Sequence, residues 1–315
     1  MPNGVANDVN LLIRFVGQKQ IQERVACDEV ANNSIFVPSP SPRKMRRRLI
    51  ALSIAALLAF SNQSTAQSPA AAVALTRLDC GTGTAPTDVG ARMTDTYAYS
   101  GLKVQLVFSC YLIKHGDDYM VWDTGNPVGN TPTAPKTSLV DLLGQLKVTP
   151  DQVRYVAISH YHGDHTGQVS SFPHATLLIG KGDWDAITQG NAAANPALFA
   201  NWVSGGGKVE PLAADKDVFG DGTVVILNMP GHTPGHHSLL VRLKEKGSVL
   251  ITGDLAHFRE NYETNGVPSF NTDRAASLAS LDRFKRIATN LKATVIIQHD
   301  ERDVTKLPAF PAAAK

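Results

Sequence analysis

Four metal-type side chains, His160, His162, Asp164 and His165, crowd into six positions of the stretch AISHYHGDHTG (157–167), directly behind the apolar run VRYVAIS (153–159). This cluster restricts what the chain can fold into. Imidazoles and a carboxylate sunk at the end of a buried strand need separate hydrogen-bond partners unless they share a cation. The spacing lets them share. His160 and His162 are two residues apart, so an extended segment points both the same way. Beyond Gly163 the chain can turn and present Asp164 and His165 as a second pair. Imidazole and carboxylate ligands suit zinc, with iron, manganese or cobalt as the other candidates.

The same adjacency recurs along the chain. His232 follows the apolar run 223–229 in MPGHTPGHH, Asp254 closes the run 248–254, and His299 closes the run 293–299. Residues at strand ends converge on one mouth of a sheet, where a rigid scaffold carries function. Taken singly, each has an ordinary reading: Asp254 as a turn residue, and His232 and His299 as histidines satisfied in the core. His115, His174, His236, His237 and His257 carry no such placement and read as surface or core residues, His257 excepted below.

Strand patterns also cover VQLVFSCYLI (104–113) and DYMVWDTG (118–125), an antiparallel pair around KHGDD, together with ATLLIG (175–180) and HSLLVRL (237–243). SLVDLLGQL (138–146) has the apolar spacing of an amphipathic helix, GDWDAIT (182–188) begins another, and DRAASLASLDRFKRIATNL (273–291) is the clearest. No repeat or linker interrupts the chain after Leu75, which predicts one α/β domain with mixed sheets.

The N-terminal region reads as an address. Arg46, Arg47 and Arg48 precede twelve apolar or small residues from Leu49 to Phe60, and Ser64 and Ala66 flank a cleavage point before Gln67. That is the layout of a secretory signal, too short to span a bilayer, with a weak likeness to twin-arginine export signals. A single membrane anchor is the competing reading. Signals start near their own methionine, so Met45 is the expected start. Residues 1–44 are then an over-extended, disordered start, 45–66 the signal, and 67–315 the mature domain, periplasmic or secreted with no stable membrane span after processing. Of the 30 Lys and Arg and 28 Asp and Glu, eight and four lie in residues 1–66, leaving 22 and 24 in the body. That balance argues against a nucleic-acid partner. Cys80 and Cys110 can pair in an oxidising compartment or sit reduced on neighbouring strands.

HYHGDH, the histidine in PGHTPGHH, the aspartate in TGD and the histidine near the C-terminus together resemble the metallo-β-lactamase superfamily over roughly residues 75–310. The resemblance implies an α/β fold, the αββα four-layer sandwich, with a binuclear site at one edge. By position, His160, His162 and His232 would hold one divalent ion, and Asp164, His165 and His299 the other, most simply both Zn2+. Asp254 would bridge them along with a hydroxide. Asp123 in WDTG matches an early aspartate that supports the ligand histidines, although alone it reads as a strand-end turn residue.

Within the superfamily, RLDCGTG, SCYLI followed by VWDTG, PGHTPGHHSLLV and HDERDVTKLPAFP are most similar to the N-acyl homoserine lactone lactonases. The implied reaction is hydrolysis of a lactone ring, or of a related small ester, by the bridging hydroxide, with Asp164 shuttling the proton. In such lactonases a tyrosine three residues after the bridging aspartate positions the substrate carbonyl. Here that place is taken by His257, with Tyr262 five residues further on, so either could serve. Long insertions, NPVGNTPTAP (126–135) and NAAANPALFANWV (191–203), flank the expected mouth, and Phe199, Trp202 and Trp184 are candidates for an acyl-chain groove or for the core.

Rival readings are a periplasmic β-lactamase, favoured by the address and opposed by Asp254, and an organophosphate or aryl-ester hydrolase with the same ligands. A glutathione thioester hydrolase would need a helical domain for which there is little room after His299. A catalytically silent metal-binding module is disfavoured because no ligand is missing.

Overall fold

Alternation of side chains along the strands decides the layers. In this computed structural model, which describes residues 71–315 except 91 and 130, the chain runs through β1 (Val73–Thr82), a short ribbon of β2 (Thr87–Asp88) and β3 (Lys103–Val104), then β4 (Val107–His115), β5 (Asp118–Trp122), β6 (Val153–Ile158), β7 (Thr176–Gly180) and β8 (Val209–Leu212). The second half supplies β9 (Lys216–Asp217), β10 (Val224–Asn228), β11 (His237–Leu243), β12 (Gly247–Ile251) and β13 (Thr294–Ile296). Six strands form one sheet in the order β1-β4-β5-β6-β7-β8, and five form another in the order β13-β12-β11-β10-β9. The expected segments 1–44 and 45–66 lie outside the described residues. Among the described residues no helix is long and apolar enough to cross a membrane.

Successive strand residues point to opposite faces. Tyr111, Ile113, Met120, Trp122, Ala157 and Leu178 of the first sheet meet Val224, Ile226, Leu239, Val241, Val249 and Ile251 of the second in one buried cluster. Their sequence neighbours Cys110, Leu112, Val121, Val156, Ile158, Leu177 and Ile179 face outward onto helix α1 (Leu139–Gln145) and Ile187 of helix α3 (Lys181–Thr188), the short α2 (Gly163–Thr166) and α4 (Ala200–Val203) lying in the connections. On the far side Leu227, Leu240 and Leu250 pack against Leu281, Phe284 and Ala288 of helix α6 (Arg274–Asn290), which follows the short α5 (Arg259–Thr264). Helices therefore cover both outer faces, giving the four layers expected. Both sheets are buried on both faces, and this is why the strands read as continuous apolar runs. Burying a side chain such as Phe284 contributes about 1.5–3 kcal/mol.

β5, β6, β7 and β8 are mutually parallel, as are β12 and β13, while the remaining neighbours are antiparallel. Parallel pairing brings the ends of β5 and β6 to the same edge. Cys80 and Cys110 are bonded, with Cα atoms 5.8 Å apart. Gly125 fits against that disulfide at φ +66°, where a Cβ would stand 2.3 Å from the Cys80 Cβ. The last strand is shorter than its apolar pattern, ending at Ile296, so His299 stands on the loop beyond it. Asp254 likewise sits in a single 3-10 turn, Gly253–Leu255, after β12.

Candidate metal centre

The loop after β6 turns into α2 and delivers His160, His162, Asp164 and His165. His232 comes from the connection between β10 and β11, Asp254 from the turn after β12, and His299 from the loop after β13. The structure brings all seven together as two groups: His160, His162, His232 and Asp254 in one, Asp164, His165 and His299 in the other. Within each group the candidate ligand atoms lie within 4.8 Å of one another. Asp254 reaches both. Its Oδ2 is 3.5 Å from His160 Nε2 and 3.3 Å from His232 Nε2, whereas its Oδ1 is 3.1 Å from His165 Nε2 and 2.8 Å from His299 Nε2.

The outer ring nitrogens fix which inner nitrogens carry lone pairs. His299 Nδ1 is 2.8 Å from the Val107 carbonyl and His165 Nδ1 is 2.7 Å from the Asp123 carboxylate, so both Nδ1–H groups donate. Asn271 donates its amide to Ser277 and turns its oxygen to His232 Nδ1 at 2.8 Å, which makes that nitrogen a donor too. Ser159 spends its one hydroxyl proton on Asp123 and accepts from His160 Nδ1 at 3.1 Å. With the rings neutral, as ligation requires, each Nε2 then presents a lone pair inward. His160 Nε2, His162 Nδ1 and His232 Nε2 stand 2.9–3.2 Å apart, and His165 Nε2 stands 3.1 Å from His299 Nε2. Converging lone pairs in a buried place repel unless a cation lies between them, so the donor set fits divalent ions of the zinc type.

The charges follow the same division. Burial, with neighbouring His165, holds the His160 imidazole well below its ordinary pKa, and burial with His232 pushes His162 down to about 4. For His165 and His299 burial acts downward as well, but Asp254 and the other nearby carboxylates overcome it and raise both. Burial would raise Asp254, yet His257, His299, His165 and His160 draw it well below the carboxylate range.

Asp123, fully buried at φ +58°, accepts from Ser159 N–H at 2.7 Å, Ser159 Oγ at 2.9 Å, His165 Nδ1 at 2.7 Å and Gln298 Nε2 at 2.7 Å. It is the support that the sequence resemblance implies. His236, read as an ordinary core histidine, donates from Nδ1 to the Met229 carbonyl and accepts the Asp254 backbone N–H at Nε2, 2.9 Å away. Asp183 was visible in the sequence only as part of a helix start. It is fully buried and accepts from Tyr161 N–H, Thr233 Oγ1 and Gly235 N–H, while burial raises its pKa to about 6.

Above the ligands opens a cavity of about 350 Å3. Its floor is His162, Asp164, Asp254, His257 and His299, and its walls are Arg92, Met93, Leu106, Phe108 and Phe270. His257 is buried with Nε2 3.1 Å from Asp254 Oδ2, and burial lowers its pKa against the pull of that carboxylate. Tyr262 is not brought to the site. On α5 its ring turns to α6, edge-on to Phe284 at 6.2 Å with Lys285 Nζ 5.0 Å from its centroid. Phe199 and Trp202 are buried in the core beneath α3, and Trp184 packs against the same cluster, so none of the three lines the cavity. The five wall residues were missed in the sequence because they lie outside the ligand motifs. Arg92 and Met93 are held in place by distant donors, Ser269 N–H to the Arg92 carbonyl and Asn261 Nδ2 to the Met93 carbonyl.

Fold and site together define a class: two sheets between helices, with a histidine and aspartate centre where their strand ends meet. The model of the metallo-beta-lactamase superfamily matches residues 107–299, and the chain belongs to that superfamily. Among its relatives, the N-acyl homoserine lactonase AttM of Rhizobium radiobacter is 29% identical over 249 residues, covering 68% of this chain and 90% of that protein. The N-acyl homoserine lactonase AiiA of Bacillus thuringiensis subsp. kurstaki is 27% identical over 232 residues, covering 67% and 88%. The solved structure of a quorum-quenching N-acyl homoserine lactone lactonase superposes with a TM-score of 0.66 at 25% identity, covering 78% of this chain and 98% of that one.

Proposed function

We propose that this protein opens the lactone ring of N-acyl homoserine lactones, using two divalent ions, most simply Zn2+, at the two ligand groups. The observation that carries the reading is Asp254, whose two oxygens face separate ligand groups at the floor of a largely apolar cavity. The two named relatives and the superposed lactonase support the substrate class. Bound there, the cations supply Lewis acidity and make water nucleophilic near neutral pH.

The chain's own residues do the rest. Met93, Leu106, Phe108 and Phe270 give the acyl chain an apolar wall. His257, neutral at its lowered pKa, offers its Nε2–H to the acyl oxygen once Asp254 is engaged with the cations. Asp164, the more open of the two carboxylates on the floor with 28% side-chain exposure, passes the proton to the departing ring oxygen. Water's oxygen bonds to the carbonyl carbon and the ring C–O bond breaks. One of water's protons ends on the ring oxygen and the other is released to solvent, and the products are a carboxylate and a free hydroxyl in one molecule. We place this activity in the periplasm or outside the cell, since the sequence 45–66 has the layout of an export signal and the Cys80–Cys110 bond suits an oxidising compartment.

The test is a pH-stat assay on purified protein with homoserine lactones of short and long acyl chain, and with a cephalosporin, alongside elemental analysis. Two metals per chain and lactone opening that disappears in Asp254→Ala are expected. Cephalosporin turnover with inert lactones would refute the lactone reading.

A further inference from the structure

Asp183 takes no direct part in the chemistry above and touches no candidate ligand side chain, yet it is fully buried at the start of α3. All three groups that it accepts from belong to the segments that carry one ligand group. Its Oδ2 is 3.0 Å from the N–H of Tyr161, the residue between His160 and His162. The same oxygen is 2.8 Å from the hydroxyl of Thr233, which follows His232. Its Oδ1 is 2.6 Å from the N–H of Gly235, which ends that turn. We infer that Asp183 is a positioning residue that clamps the His160–His162 segment to the His232 turn and so sets the geometry of one metal site and not the other.

The packing around the clamp leaves it no play. A Cβ on Gly180 would lie 1.8 Å from the Gly235 carbonyl oxygen, and one on Gly182 would lie 2.8 Å from the Pro234 backbone. A Cβ on Gly235 would lie 2.5 Å from the Asp183 nitrogen. The start of α3 and the Thr233–Gly235 turn thus touch backbone to backbone, with the carboxylate as the polar link between them. In the other group His165 is held by Asp123 and His299 by the Val107 carbonyl. A carboxylate accepts from three donors without conflict, whereas an amide must turn its NH2 toward at least one of them.

The inference rests on the two-cation reading, and the experiment separates the two. Metal-stripped full-length protein is titrated with Co(II) at pH 7.5, following the visible absorption of the bound ion and competition with a chromophoric chelator. Backgrounds of His299→Ala and His162→Ala leave one ligand group intact each. Asp183→Asn is expected to weaken Co(II) binding 10–100-fold in the His299→Ala background and to change it less than twofold in the His162→Ala background. Thr233→Val, which removes one donor and keeps the carboxylate, should act in the same direction more weakly. Leu281→Ala, a core truncation on the buried face of α6, serves as the control for stability loss alone and should leave both affinities within twofold. Equal weakening in both backgrounds, or none in either, overturns the clamp. Failure of the unsubstituted protein to bind two Co(II) overturns the two-cation reading instead.

Discussion

Replacing Asp123 by Asn separates charge from shape at the support of the site. The residue sits at φ +58°, a conformation that asparagine tolerates at least as well as aspartate, so the exchange adds no backbone strain. Oδ1 accepts only from Ser159 N–H, whereas Oδ2 accepts from Ser159 Oγ, His165 Nδ1 and Gln298 Nε2. The least costly placement therefore puts the new amide nitrogen at the Oδ1 position. There it faces the Ser159 N–H, and one charge-assisted bond, worth about 1.5–3 kcal/mol, is lost. The N–H left unsatisfied costs about 1–3 kcal/mol more, so the total expected is about 2.5–6 kcal/mol of stability. His165 loses the carboxylate that fixes its tautomer, and metal affinity should fall about 10–100-fold. Urea unfolding of the metal-stripped protein reads the first quantity and competition with a chromophoric chelator reads the second. A variant within about 0.5 kcal/mol of the parent and with unchanged affinity would show that Asp123 is not the keystone described here.

Leu106→Ala shortens the cavity wall and should raise KM about 5–10-fold for a decanoyl homoserine lactone, with kcat and the butanoyl substrate within about twofold, since about 0.8 kcal/mol is lost for each buried methylene. The His237 imidazole is pushed from 6.5 to about 4, chiefly by burial. The unfolded chain therefore binds more protons between those values, and about 3 kcal/mol of stability, present above pH 6.5, is lost as pH falls to about 4. His237→Asn should flatten that part of the stability profile, and an unchanged slope would assign acid unfolding to other groups. Gly180→Ala forces a methyl against the Gly235 carbonyl and should cost more than about 2 kcal/mol, whereas Gly144→Ala, in α1 with open space around it, should stabilise by about 0.5–1 kcal/mol in the same denaturation series.

The convergence of the candidate ligand residues was legible because each combines a donor side chain with a place just behind an apolar run, which the sheet geometry brings to one edge. The mixed sheets were legible in the strand patterns, whose limits fell within a few residues where a run was read, and the four layers only through the resemblance. His299 shows the limit of such reading: Ile297 continues the apolar pattern, but the ladder stops at Ile296. The cavity walls were hidden for a different reason. Arg92 and Met93 occupy a loop whose course is set by partners more than a hundred and sixty residues away in sequence. Phe199 and Trp202 looked available for an acyl groove, but their large apolar surfaces are buried under α3. Tyr262 lay close to His257 in sequence, but α5 begins between them at Arg259 and carries the ring toward α6.

Neither sheet owns a complete ligand group. His160, His162, Asp164 and His165 hang from the first sheet, His232, Asp254 and His299 from the second, and each group draws on both. The cations proposed here would then rivet the two halves of the sandwich along one edge. Reactivity becomes conditional on closure: a chain whose sheets have parted loses both ligand groups at once, so a damaged or half-folded molecule cannot persist as a half-working hydrolase.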